Sequence, residues 1–119
     1  MNTILIVDDE YLIADILGFA LEDAGFLVEK ASNGRKALDA LRTKQVELVI
    51  TDYMMPVLNG EELVRAIREE LQLIDLPVIL MSGAQASHGR IGPQLFAAVF
   101  DKPFDMDRMI TKVRELLDT

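Results

Sequence analysis

The chain has no cysteine and no tryptophan, and it has a single histidine and only four prolines. Without cysteine, disulfides and thiolate metal centres are excluded. One histidine, His88, cannot supply the cluster of imidazoles that a zinc site needs. Cationic residues are also scarce: 12 Lys and Arg stand against 20 Asp and Glu, for a net charge of −8. That balance argues against non-specific binding to nucleic acid, which needs a basic face, and against an anionic membrane surface. The start, MNTILIVDDE, has an apolar run of four residues that ends in three acids. A secretory signal needs a longer run and a basic beginning. No stretch approaches the roughly 18 apolar residues of a membrane span. Membrane insertion is not expected, and the expected location is the cytoplasm.

What is present is ordinary globular material. Half of the 119 residues are hydrophobic, enough for one core, and a single domain over 1–119 is expected. Short apolar runs alternate with helical patterns. ILIV (Ile4 to Val7), LVI (Leu48 to Ile50) and VILM (Val78 to Met81) are continuous, as in strands buried on both faces of a parallel sheet. FLVEKA is half polar and suits an edge strand, and AAVF (Ala97 to Phe100) is a fifth candidate. Between them, Leu12, Ile13, Ile16, Leu17, Ala20 and Leu21 recur at helical spacing and stop at Gly25. Asn33 is placed to cap a helix with Ala37, Leu38 and Leu41, and Leu63, Val64, Ile67 and Leu71 form a further stripe after Asn59-Gly60. Asp105 is placed to cap a last helix facing inward with Met109, Ile110 and Val113. GAQASHGRIGP, from Gly83 to Pro93, holds three glycines and a proline, so a fourth helix there is short or irregular. The pattern predicts a three-layer α/β domain with five strands and about five helices.

Ligands in such sheets bind beyond the carboxyl ends of the strands. The residues expected there are Asp8, Asp9 and Glu10 after the first strand and Asp52 after the third. Ser82 and Gly83 follow the fourth, and Asp101, Lys102 and Pro103 the fifth. Each has an ordinary explanation alone: a helix cap, a turn residue, a solvated lysine. Those explanations do not require all four places to fall at one end of neighbouring strands. Crowded carboxylates without His or Cys suit Mg²⁺, which takes oxygen ligands. A lysine and a hydroxyl opposite them make a socket for a phosphoryl group. One carboxylate can then be a nucleophile that forms an aspartyl phosphate.

ILIVDDE, LVITDYMMPVLNG, VILMSGA and FDKPF closely resemble the receiver domain of two-component response regulators. The resemblance covers essentially the whole chain. It implies a flavodoxin-like, doubly wound sheet of order 2-1-3-4-5 and phosphorylation on Asp52. It further implies Mg²⁺, with Mn²⁺ able to substitute, held by Asp9, by Asp8 through water, by Asp52 and by the Met54 backbone carbonyl. Ser82 and Lys102 would contact the phosphoryl group, and the Lys102–Pro103 bond would be cis. The implied partners are a sensor histidine kinase or histidine phosphotransfer protein as donor, since His88 lies in a loop and is a poor donor, and a downstream protein target. The family's output surface is commonly the fourth helix, fifth strand and fifth helix. If the chain is the whole gene product, no output domain follows Thr119.

Two departures from the family pattern stand out. The usual Tyr or Phe three residues before the lysine is Val99, followed by Phe100. Both read as strand core, which removes the usual aromatic switch. MSGA with a glycine-rich fourth connection resembles an atypical group of single-domain receivers without that aromatic, and ordering of residues 83–94 is the expected output signal. Met54 and Ala84 lie two residues after the aspartate and two after the serine. Neither side chain can orient water by a hydrogen bond, so slow self-dephosphorylation is expected. Two rivals are an interaction module of the same shape that is never phosphorylated and a haloacid dehalogenase-type phosphohydrolase. The hydrolase would carry an acid where Met54 stands. Flavin binding lacks a Ser/Thr-rich phosphate loop after the first strand.

Overall fold

The computed structural model of the protein describes residues 2–83 and 95–118. β1 (Thr3–Val7), β2 (Leu27–Ala31), β3 (Leu48–Asp52), β4 (Val78–Ser82) and β5 (Ala98–Asp101) form one parallel sheet of order β2-β1-β3-β4-β5. The order places β1, β3 and β4 inside and the other two at the edges. Every residue of β3 and β4 is buried, whereas β2 buries only Ala31. Unbroken apolar runs therefore became the central strands and the half-polar run an edge, as burial on two faces or one dictates.

Alternation along the strands sends side chains to two cores. On one face Leu5, Val7, Val49, Val78 and Leu80 meet α2 (Gly34–Thr43) and α3 (Gly60–Glu69) through Leu38, Leu41, Leu63 and Ile67. On the other, Ile4, Ile6, Ile50, Ile79 and Met81 meet α1 (Tyr11–Asp23) and α4 (Met106–Leu117) through Leu17, Leu21, Met109 and Val113. Each such side chain contributes on the order of 1.5–3 kcal/mol by leaving water.

The caps are sequence-encoded. The Asn33 side chain accepts from Lys36 N at 2.8 Å, and Asp105 accepts from Asp107 N at 2.8 Å. Asn59 and Glu62 form a reciprocal capping box at the start of α3. α3 ends at Glu69, so Leu71 packs on the core from the following turn rather than from the helix. Four helices lie among the described residues. The expected fourth helix and the expected loop ordering fall on residues 84–94, outside them, as do Ala84 and His88.

Gly60 ties α3 to the end of β3. A Cβ at Gly60 would lie 2.9 Å from the Asp52 carbonyl oxygen and 2.8 Å from Leu80 Cδ1. Gly60 N also donates to the Tyr53 carbonyl at 2.9 Å. Backbone cannot yield as a flexible side chain can, so Gly60→Ala is expected to destabilise the protein by roughly 1–3 kcal/mol. Urea midpoints check this, and an unchanged midpoint would show that the approach is slack.

Candidate functional site

Parallel strands that end together put their last residues in one row. Asp8, one residue past β1, and Asp52, the last residue of β3, are 2% and 4% exposed, and Ser82, the last of β4, is fully buried. Lys102, one past β5, reaches over the row. Its Nζ lies 3.1 Å from Asp52 Oδ1 and 3.6 Å from Asp8 Oδ2. The Lys102–Pro103 bond is cis, as expected.

Asp8 does not cap α1. The N-cap is Glu10, with no side-chain cap hydrogen bond. Asp8 Oδ1 instead accepts from Glu10 N at 2.9 Å, a local turn that folds the chain back over the strand end. Asp8 Oδ2 is buried with no hydrogen-bond partner among the described residues. The Lys102 ammonium, 3.6 Å away, offsets part of its charge but is shared with Asp52 at 3.1 Å, so a further cation would be favoured there. Asp8, Asp52 and Glu10 offer carboxylate oxygens that all lie within 4.8 Å of one another. The all-oxygen donor set and an Asp8 oxygen without a hydrogen bond fit a hard divalent cation such as Mg²⁺.

The electrostatics agree. Burial, helped by the Asp52 charge, pushes the Asp8 carboxyl up to about 6, against the pull of the Glu10 N–H and Lys102. Burial likewise raises Asp52, opposed by its hydrogen bond from Lys102 and raised further by Asp9. Lys102 is lowered by burial, but its hydrogen bond to Asp52 and the charges of Asp8 and Asp52 prevail and raise it. The lysine is thus held protonated over two carboxylates that resist being charged together.

Of the residues singled out in the sequence, Asp8, Asp52 and Lys102 come together directly. Asp9 is exposed and outside the close trio, although its charge is felt at Asp52. Glu10, read only as part of the acidic run, is the third member of the trio; its place two residues after Asp8, at the helix N-cap, is what returns it to the site. Met54 is 55% exposed. The loop that carries it turns sharply at Val57, whose φ of +75° is rare for a β-branched residue, and Leu58 N donates to the Pro56 carbonyl at 2.9 Å. Ser82 Oγ donates to Asp101 Oδ1 at 3.2 Å, a contact the sequence did not announce. Phe100, half-buried, packs against the core and meets Phe104 edge-on at 6.1 Å. Val99, by contrast, is 38% exposed, so the reading of Val99 as strand core is corrected: alternation on an edge strand turns it away from the core that Phe100 joins.

Such a sheet, with an acidic pair, a hydroxyl and a lysine at its carboxyl edge, defines a class of phospho-acceptor signalling domains. The family model described as response regulator receiver domain matches residues 4–114. The response regulator Rre1 of Synechocystis sp. is 36% identical over 118 residues, covering 97% of this chain and 51% of that protein. The DNA-binding dual master transcriptional regulator RpaA of the same organism is 32% identical, with 98% and 49% covered. The chain thus spans about half the length of these relatives. Among solved structures, the Francisella response regulator 1452 receiver domain superposes with a TM-score of 0.89 at 28% identity, covering 99% of this chain and 98% of that one. Thermotoga maritima TrrA, solved in complex with Mg(2+)-BeF, superposes with a TM-score of 0.84 at 32% identity, with 98% and 99% covered. The chain belongs to the response regulator receiver domain family.

Proposed function

We propose that Asp52 is the phosphoryl acceptor of this receiver. The observation that supports this most is the buried Asp52 carboxylate held 3.1 Å from Lys102 Nζ with Asp8 beside it. A carboxylate oxygen of Asp52 attacks the phosphorus of a phosphohistidine on a sensor kinase or phosphotransfer protein. The P–O bond forms as the P–N bond breaks, and the imidazole leaves with a proton from solvent. The Lys102 ammonium and the Ser82 hydroxyl meet the phosphoryl oxygens, where charge gathers. Asp8, Asp9, Asp52 and the Met54 carbonyl would hold Mg²⁺, or Mn²⁺ in its place. The bound cation supplies positive charge against the carboxylates and the incoming phosphoryl group. The phosphorylated domain then alters its surface for a downstream target or passes the phosphoryl group on, as a single domain over 1–119 in the cytoplasm.

The donor's approach has a candidate surface beside the site. Tyr11, Leu12, Ile16 and Phe19 on α1 are exposed, and an apolar groove between Ile13, Ile16, Pro103 and Phe104 runs up to Lys102. A histidine-bearing helix of the donor seated there would present its ring at Asp52.

Acetyl phosphate with Mg²⁺, followed by intact-mass measurement, tests the reading. A gain of one phosphoryl group supports it; no gain leaves an interaction module. Once loaded, the protein is expected to lose phosphate slowly, because the Met54 side chain cannot orient water. Met54→Glu, which can, is expected to shorten the lifetime by up to about a hundredfold, the lower end of general-base effects. Time-resolved mass measurement reads this, and equal decay would remove Met54 from the explanation.

A further inference from the structure

The Ser82 hydroxyl is already committed elsewhere. In the parallel register Ser82 pairs directly with Asp101, and the backbone repeats the tie, Lys102 N donating to the Ser82 carbonyl at 2.8 Å. Paired residues of parallel strands project to the same face, about 4.8 Å apart. Ser82 therefore meets Asp101, its Oγ donating to Oδ1 at 3.2 Å. Asp52 belongs to the opposite set, in register with Met81. A hydroxyl has one proton to donate. Both Asp101 and a phosphoryl oxygen on Asp52 are anionic acceptors, and the single proton cannot serve both well.

We propose that Asp101 is a positioning residue: it holds the Ser82 hydroxyl in a resting arrangement, and a phosphoryl group on Asp52 must take that hydroxyl from it. This rests on the phospho-acceptor reading above. The competition lowers the affinity of the resting site for a phosphoryl group and couples its arrival to a charge at the outer edge of the sheet. Asp101 is exposed on β5 next to Val99, where the family's usual aromatic is missing. When the hydroxyl leaves, the change is felt by a carboxylate on the edge strand.

The experiment is a titration of the full chain with beryllofluoride and Mg²⁺, followed by ¹⁹F NMR, on wild type, Asp101→Ala, Asp101→Asn, Ser82→Ala and the double variant Ser82→Ala/Asp101→Ala. Removal of a hydrogen bond to a charged acceptor is expected to tighten binding in Asp101→Ala about three- to tenfold. Asp101→Asn keeps an acceptor oxygen and is expected to gain less than Asp101→Ala. On the Ser82→Ala background, loss of Asp101 is expected to change affinity less than twofold, roughly the limit for uncoupled sites. A gain that persists without Ser82, or one equal in Asp101→Asn and Asp101→Ala, would mean charge repulsion alone and overturn the proposal. Unchanged affinity in Asp101→Ala would overturn it too. Independently of any variant, the Asp101 carboxyl ¹³C resonance of wild type is expected to shift on addition of beryllofluoride; a still resonance counts against the idea. Failure of wild type to bind beryllofluoride would instead remove the acceptor reading, and this proposal with it.

Discussion

Asp52→Asn is expected to take up no phosphoryl group from acetyl phosphate and Mg²⁺, while wild type gains one. The carboxamide oxygen is a poor nucleophile and gives no acyl phosphate, so the loss is total rather than graded. The same change is expected to leave the fold intact or strengthen it. Asp52 is 4% exposed, and burial and Asp9 both push its carboxyl toward the neutral form. Asparagine is nearly isosteric, keeps an oxygen for Lys102 and removes the repulsion that Asp52 exerts on Asp8. In the absence of divalent cation, stability at neutral pH is expected to rise rather than fall, because the neutral amide escapes the burial cost that raises the Asp52 carboxyl. Lys102→Met is the instructive contrast. It leaves the nucleophile in place but removes the charge aimed at the phosphoryl oxygens, so uptake is expected to slow by about a hundredfold without vanishing. Phosphoryl uptake by Asp52→Asn at the wild-type rate would mean that another residue is the acceptor.

The sheet was legible because its signal is local. Ile4 to Val7, Leu48 to Ile50 and Val78 to Met81 are unbroken apolar runs, and each became a central strand. Topology then carried the site: once the strands are parallel, Asp8, Asp52, Ser82 and Lys102 must end at one edge. Details that depend on register or on the path of a loop were not legible. Ser82 meets Asp101 only because β4 and β5 pair in this register; a slip of one residue would send one of the two to the other face. Glu10 joins the acidic trio because Asp8 turns the chain through the Glu10 N–H, whereas the sequence suggested only that three acids follow a strand. Val99 and Phe100 both look like core letters; the register sets Val99 beside Leu80 and Phe100 beside Met81 on opposite faces, and at the edge of the sheet Val99 is left exposed.

Stability without divalent cation is expected to fall as pH rises from about 4 to about 6, the reverse of the usual acid-side trend. The Asp8 carboxyl is pushed from its ordinary 3.8 up to about 6 in the folded protein, so the folded state binds the proton more tightly than the unfolded chain. Stability from this group is full below the unfolded value and is lost as pH climbs through the folded one. A shift of about two units corresponds to roughly 3 kcal/mol at most. Asp52, raised for the same main reason, acts in the same direction. Lys102, raised from 10.5, keeps its contribution throughout this range and loses it only far above. Urea midpoints in chelator are therefore expected to be higher at pH 5 than at pH 7.5, and Asp8→Asn is expected to flatten most of the difference. Mg²⁺ should reverse the order. It competes with the proton for the same oxygens, so it binds weakly at pH 5 and strongly at pH 7.5, where a concentration a hundredfold above its Kd adds about 2.7 kcal/mol. A rising profile in chelator, or an equal Mg²⁺ effect at both pH values, would show that the buried Asp8 carboxylate is not the group that makes this site ask for a cation.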